Sequence, residues 1–212
     1  MSPEKKQKKT LRTVLYPAPG CGMLNPGQKQ KQMIYYRRKN RPRHADGRIY
    51  RMKNKTAVSF YKPRIEDLWF REAMLADPDT MSYNAAWGGT IPFPREDWDD
   101  WYDYWVANPD RRFYRYITTG ESRAFVGEAA YHYDAELQVY ITDVIIPAKS
   151  RGRGYGKAGL RLLCEAAKKA GITELYDNIA IDNPGIRMFL SFGFQEEYRT
   201  DEIIMLRKSL AD

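Results

Sequence analysis

The run Arg151-Gly-Arg-Gly-Tyr-Gly-Lys157 sets three glycines at alternate positions among two arginines and a lysine, just before a segment with helical apolar spacing. This pattern is suited to holding a phosphate. Gly152, Gly154 and Gly156 let the backbone curl so that its N–H groups point into one concavity, and the following helix adds the positive end of its dipole. Arg151, Arg153 and Lys157 surround the concavity with charge. The pattern fails as a Walker A loop: Arg151 stands where the first glycine belongs, and Ala158 follows Gly156-Lys157 instead of Ser or Thr. A dinucleotide fingerprint fits better on spacing alone, since Gly154-Tyr-Gly156-Lys-Ala-Gly159 matches it and Glu174 lies twenty residues beyond Gly154. Its context is wrong. The first glycine of that fingerprint turns directly off the first strand, whereas Pro147 to Arg153 intervene here, late in the chain.

The elements that must position this loop can be read on both sides of it. Upstream, Val144-Ile-Ile146 breaks at Pro147, and the stretches 113–118, 124–133 and 138–146 alternate or run apolar between breaks at Gly120 and Asp134, giving hairpins. Downstream, Leu160, Leu163, Cys164 and Ala167 recur at helical spacing, Gly171 is placed to end the helix, and Leu175 to Ile181 reads as a buried strand. Earlier in the chain, Val58 to Tyr61 reads as a first strand and Pro63 to Asp67 as a helix start. Ser82 to Pro94 has too much Gly and Pro for a regular element and reads as a long loop. Arg95 to Val106 then reads as a helix, with Trp98, Trp101 and Trp105 on its core side.

Arg151-Gly-Arg-Gly154-Tyr-Gly156 fits the pattern Gln/Arg-x-x-Gly-x-Gly/Ala between strand and helix, and so resembles the acetyl-CoA loop of the GNAT superfamily of N-acetyltransferases. Asp182-Asn-Pro-Gly-Ile-Arg-Met-Phe-Leu-Ser-Phe-Gly-Phe194 resembles that family's second signature, an Asn followed by a short helix and Gly-Phe. The resemblance covers residues 56 to 210. It implies an α/β fold with a mixed, mainly antiparallel central sheet flanked by helices, and acetyl-CoA as co-substrate. By the same resemblance the pyrophosphate sits on Arg151, Gly152, Arg153, Gly154, Tyr155, Gly156 and Lys157. Ile145 and Ile146 belong to the strand that holds the pantetheine arm by its backbone, and Asn183 is a polar contact on the cofactor side. One departure bears on mechanism. Phe189 occupies the position where many members carry a tyrosine that protonates the leaving thiolate; Tyr155, Tyr176, a tyrosine of the acceptor region or water are the substitutes that the sequence offers.

An amine acceptor needs a base, because only its lone pair attacks a thioester carbonyl. Glu128 and Asp143, on the central strands, are the candidate general bases, and a backbone N–H near Ile145 is placed to stabilise the oxyanion. Glu96, Asp97, Asp99, Asp100 and Asp103 crowd the tryptophan-bearing helix. They read either as a solvated face or as an acidic entrance that gathers cations together with Tyr83 and Trp87. On the second reading Tyr83, Trp87, Asp97 and Asp100 bind the acceptor: a small amine, polyamine or amino sugar, with a basic peptide terminus as the alternative.

Composition bounds the rest. The 212 residues carry a formal net charge of +8, yet residues 1–54 hold fifteen Lys and Arg against two acids, so the remainder is net acidic. Two regions are expected: a basic, disordered extension over 1–54 and the acetyltransferase domain over 55–212. The tyrosines and arginines of residues 35–43 would suit contact with nucleic acid, which makes an acyl-CoA sensor with a nucleic-acid-binding arm the rival reading. Met52 offers an internal start just before the family-like segment, which intact mass would test. Two cysteines and two histidines form no metal-ligand spacing, and no apolar run reaches membrane-spanning length, so a cytoplasmic protein without metal or membrane contact is expected. A homodimer is left open.

Overall fold

The computed structural model describes residues 57–119 and 124–211, so the expected basic extension over 1–54 lies outside the described residues. Strand β1 (Val58–Tyr61) leads through a 3₁₀ turn (Ile65–Leu68) into helix α1 (Trp69–Ala76). A second 3₁₀ stretch covers Thr80–Trp87, and helix α2 (Trp98–Tyr102) is entered by a 3₁₀ turn and leaves through a π turn, Asp103–Ala107. Strands β2 (Arg112–Thr119), β3 (Phe125–Asp134) and β4 (Val139–Ile145) follow, then helix α3 (Tyr155–Lys169), β5 (Glu174–Ala180), helix α4 (Ile186–Ser191), β6 (Gln195–Arg199) and β7 (Ile203–Ser209).

The strands form one sheet in the order β1-β2-β3-β4-β5-β7-β6. Every neighbouring pair is antiparallel except β4 and β5, which run parallel and register through one residue pair, Ile141 and Tyr176. Beyond that pair the two strands part. The split is the feature that makes a site in an otherwise continuous sheet.

Alternation along the strands feeds two layers. One face packs on α3, whose Leu160, Leu163, Cys164 and Ala167 lie against Ile117, Ala129, Leu175, Ile179 and Leu206. A side chain at Gly159 would run into Ile117, so this glycine lets the helix settle close to the sheet. The other face is aromatic: Phe70, Phe93, Trp98, Trp101, Trp105, Tyr114 and Tyr116 pack with Leu68, Met74 and Leu75 under α1 and α2. The three tryptophans of α2 and its π turn are thus core residues, as their spacing indicates.

The segment read as a long loop is in part regular. It winds as 3₁₀ from Thr80 to Trp87 and stops at Gly88 and Gly89, whose φ values of 103° and 72° a helix cannot continue through. The i to i+3 bond of a 3₁₀ turn requires no sustained apolar period, which is why the segment lacks a helical signature. The π turn is similarly local: the Asn108 N–H reaches back to the Asp103 carbonyl at 2.8 Å, and the Asn108 amide donates to the Asp103 carboxylate at 2.6 Å.

Candidate active site

The parting of β4 and β5 opens a cleft of about 410 Å³. Asp143 to Ile146 form its β4 wall and Asp177 to Ala180 its β5 wall; Ser82, Tyr83 and Trp87 close one side, and Asn183, Met188 and Phe189 another. Arg151 and Gly152 also line it, so the glycine-rich loop and the gap between the strands are one continuous space. Gly127 keeps β4 in place, because a Cβ there would stand 2.6 Å from the Ile145 carbonyl oxygen.

The glycine-rich loop makes its turn at two of its three glycines. Gly152 and Gly154 adopt φ of 75° and 81°, the left-handed region that glycine enters at little cost, and Gly154 is the residue from which α3 starts. Gly156 sits under Met188, whose sulfur would lie 2.8 Å from a Cβ at this position. Lys157 reaches across to the carbonyl and hydroxyl of Ser191, each at 3.3 Å, so it ties α3 to α4. Arg153 is exposed and Tyr155 partly buried, and neither lines the cleft. Arg151 braces the backbone, its guanidinium donating to the carbonyls of Ile146 (3.1 Å), Asp79 (3.3 Å) and Thr80 (2.5 Å). The Thr80 hydroxyl in turn accepts the Ala148 N–H at 2.8 Å. The loop is therefore clamped to the 3₁₀ segment that carries Tyr83 and Trp87. Asn183 turns the chain into α4, its side-chain oxygen accepting the Gly185 N–H at 2.7 Å, while it also lines the cleft.

The two candidate bases fall in different surroundings. Glu128 is 1% exposed and sealed by an ion pair with Arg71 at 2.5 Å and by the Tyr114 hydroxyl. The Arg71 guanidinium lies 4.6 Å from the Trp101 ring centre and 5.2 Å from that of Phe93, so the pair is roofed with aromatic carbon. Glu128 lines no part of the cleft. Asp143 does. Burial raises its pKa above the usual carboxylate range, although the nearby His132, with Nδ1 3.7 Å from Oδ2, favours the charged form. Tyr83 faces the same space; burial pushes its hydroxyl pKa up, and the charges of Glu128 and Asp143 push it further. Tyr83 therefore stays neutral.

Of the four expected acceptor-binding residues, Tyr83 and Trp87 line the cleft, whereas Asp97 and Asp100 do not. These two acids lie at the start of α2, with Asp100 exposed, because burying the tryptophans turns the acidic positions outward. Sequence reasoning missed Asp177. It is 8% exposed on β5, lines the cleft, and has a pKa well above the ordinary carboxylate value, through burial first and then through the charge of Asp143. Phe189, at the position discussed for a tyrosine, is also on the cleft wall and packs edge-on against Phe194 at 5.0 Å.

Residues 69–194 match the model of the acetyltransferase (GNAT) family. The chain belongs to the GNAT family. It is therefore an acetyltransferase. A spermidine N-acetyltransferase of Vibrio cholerae, solved with CoA and spermine, superposes with a TM-score of 0.62 at 13% identity, over 72% of this chain and 95% of that one. An N-acetyltransferase of Staphylococcus aureus Mu50 gives 0.58 at 18% identity, over 73% and 99%, and a GNAT acetyltransferase of Bacillus anthracis gives 0.58 at 14%, over 72% and 95%. At these identities the likeness shows the GNAT fold. A search of curated proteins finds no match. Among the described residues no helix is long and apolar enough to cross a membrane, and no cluster of His, Cys, Asp and Glu is arranged to hold a metal.

Proposed function

We propose that this GNAT enzyme transfers the acetyl group of acetyl-CoA directly to a primary amine, with both bound together, and that the amine is small and cationic. The observation that carries the reading is Asp143: a carboxyl of raised pKa on the cleft wall, beside the point where β4 and β5 part. The loop and the start of α3 hold the pyrophosphate by backbone N–H groups and dipole. From there the pantetheine arm runs back along β4 and brings the thioester to Asp143. The lone pair of the amine attacks the carbonyl carbon, and Asp143 takes the proton that nitrogen sheds as the C–N bond forms. A backbone N–H at the end of β4, near Ile145, receives the oxyanion.

Asp143, Tyr83 and Trp87 give the cleft a carboxyl that can ionise and two aromatic faces, a lining that favours a cation. The spermine complex of the Vibrio relative is consistent with that class. A thiol-release assay with acetyl-CoA against polyamines, amino sugars, amino acids and basic peptides tests the reading. Small cationic amines are expected to be turned over, and Asp143→Asn to lower kcat by about a hundredfold or more with acetyl-CoA affinity retained. Turnover of peptides alone would overturn the acceptor class, and unchanged kcat in Asp143→Asn would overturn the base.

A further inference from the structure

Phe189 leaves the enzyme without a hydroxyl at the position from which a departing thiolate could be protonated, yet the same cleft holds a second carboxyl whose surroundings favour its protonated form. Asp177 follows Tyr176, the last β5 residue registered with β4, so it stands where the two strands begin to part. From β4 it meets Thr142, and from β7 the apolar Leu206 lies opposite it. Asp143 is the charged group acting on it, with His132 of β3 behind Asp143, while α4 brings Phe189 and Met188 to the same cleft. Arg151, the cation of the lining, is committed to carbonyl oxygens of the Thr80 segment and Ile146.

The contacts of Thr142 leave room for a proton on the carboxyl. Its Oγ1 lies 3.1 Å from the Tyr176 carbonyl oxygen and 3.0 Å from Asp177 Oδ2. A hydroxyl carries one hydrogen, and two acceptors within reach must share it or one of them must bring a proton of its own. With the carboxylate ionised Thr142 donates to it; with the carboxyl protonated, Thr142 donates to the Tyr176 carbonyl and its oxygen is free to receive the Asp177 proton. An ionised carboxylate there would be buried beside Asp143 with, among the described residues, the shared Thr142 hydroxyl as its donor, the costly alternative.

We propose that Asp177 is the proton donor to the thiolate of CoA, filling the role that Phe189 cannot. The inference rests on the acetyl-transfer reading above. An acceptor ammonium first loses one proton to solvent. As its lone pair forms the C–N bond, nitrogen passes its next proton to Asp143; the C–S bond breaks with its electron pair going to sulfur, which takes the O–H proton of Asp177. Asp143 then holds one proton more and Asp177 one fewer. Return of that proton through cleft water restores both, so the cycle balances without any further reagent. Two carboxyls in different environments thus divide the acid and base roles.

The test begins with the ligand-free wild type and Asp177→Asn, which keeps the shape of a protonated Asp but has no proton to transfer. The infrared difference between them at neutral pH is expected to show a carboxylic-acid C=O band; no band overturns the proposal. With acetyl-CoA and a turned-over amine, Asp177→Asn is expected to lower kcat by about a hundredfold, to leave the Kd for acetyl-CoA unchanged and to abolish the alkaline fall of the kcat profile. Phe189→Tyr added to Asp177→Asn is expected to restore part of kcat, which a merely structural role would not allow. Near-wild-type kcat in Asp177→Asn, or a Kd that weakens as much as kcat falls, overturns the proposal while leaving acetyl transfer intact. No thiol release by wild type with any amine would overturn the acetyl-transfer reading itself.

Discussion

The two sides of the split sheet are built on different principles. On the side proposed for the cofactor, glycines, a helix start and strand edges present backbone groups, and side chains such as Arg151 and Lys157 brace the frame. On the acceptor side the frame is made of side chains: a buried Arg71–Glu128 ion pair under Trp101 and Phe93, with the Tyr114 hydroxyl completing it. The difference shows what each side can tolerate. A backbone site is broken by changing φ or local charge and is otherwise indifferent to nearby sequence, while a side-chain frame fails when one partner is removed.

Arg71→Ala breaks the acceptor side at its weakest point. It leaves Glu128 charged and buried, so a loss of about 3–5 kcal/mol of stability is expected in urea unfolding. Arg71→Ala combined with Glu128→Gln should recover part of that loss, since the orphaned charge is then gone. Gly154→Glu breaks the other side without this cost to the frame: a non-glycine residue at φ 81° adds about 1–2 kcal/mol of strain, and its carboxylate opposes the anion. Calorimetry should show acetyl-CoA affinity lost while Tm falls less than in Arg71→Ala.

Between the two sides stand the cleft acids, and their titration sharpens the contrast. The folded pKa of Asp177 is raised, so its burial costs nothing below the unfolded carboxylate pKa; stability then declines as pH rises from that value toward the folded pKa. Asp177→Asn removes the decline. Its unfolding free energy relative to wild type should therefore increase as pH rises above about 4, and a flat difference would contradict the assignment. His132→Gln takes away a charge that lowers the Asp143 pKa, so the acid limb of kcat/KM should move to higher pH. The smallest effect is expected from Asp97→Asn with Asp100→Asn: these acids line no part of the cleft, and KM for a cationic amine should stay within about twofold of wild type.

What the sequence discloses follows the same division. The turn of residues 151–157 into α3 is legible because two of its glycines stand at the positions of positive φ, and the strand and helix around it carry plain apolar periods. The central sheet from β1 to β5 is legible by alternation for the same reason. Asp177 is not, since its chemistry arises from Thr142 and Asp143 on another strand, thirty-five residues from Thr142 and brought close only by a parallel pairing. Glu128 and Asp143 look alike as acids on central strands; the widening between β4 and β5 admits one to the cleft, and Arg71 claims the other. The acids of α2 misdirect as a composition, because exposed charge is also what a helix shows when three tryptophans face inward.

The single registered pair between Ile141 and Tyr176 has a mechanical meaning. It divides the sheet into two cooperative blocks: β1 to β4, folded from successive neighbours, and β5, β7 and β6, with α3 strapped across the face between them. Within each block every neighbouring pair of strands is registered over four or more residues, so opening of the molecule short of global unfolding should begin at this seam. Whatever occupies the seam closes it. Resistance to local opening and occupancy by cofactor are then a single variable, and amide exchange along β4 and β5 should follow acetyl-CoA concentration before any turnover takes place.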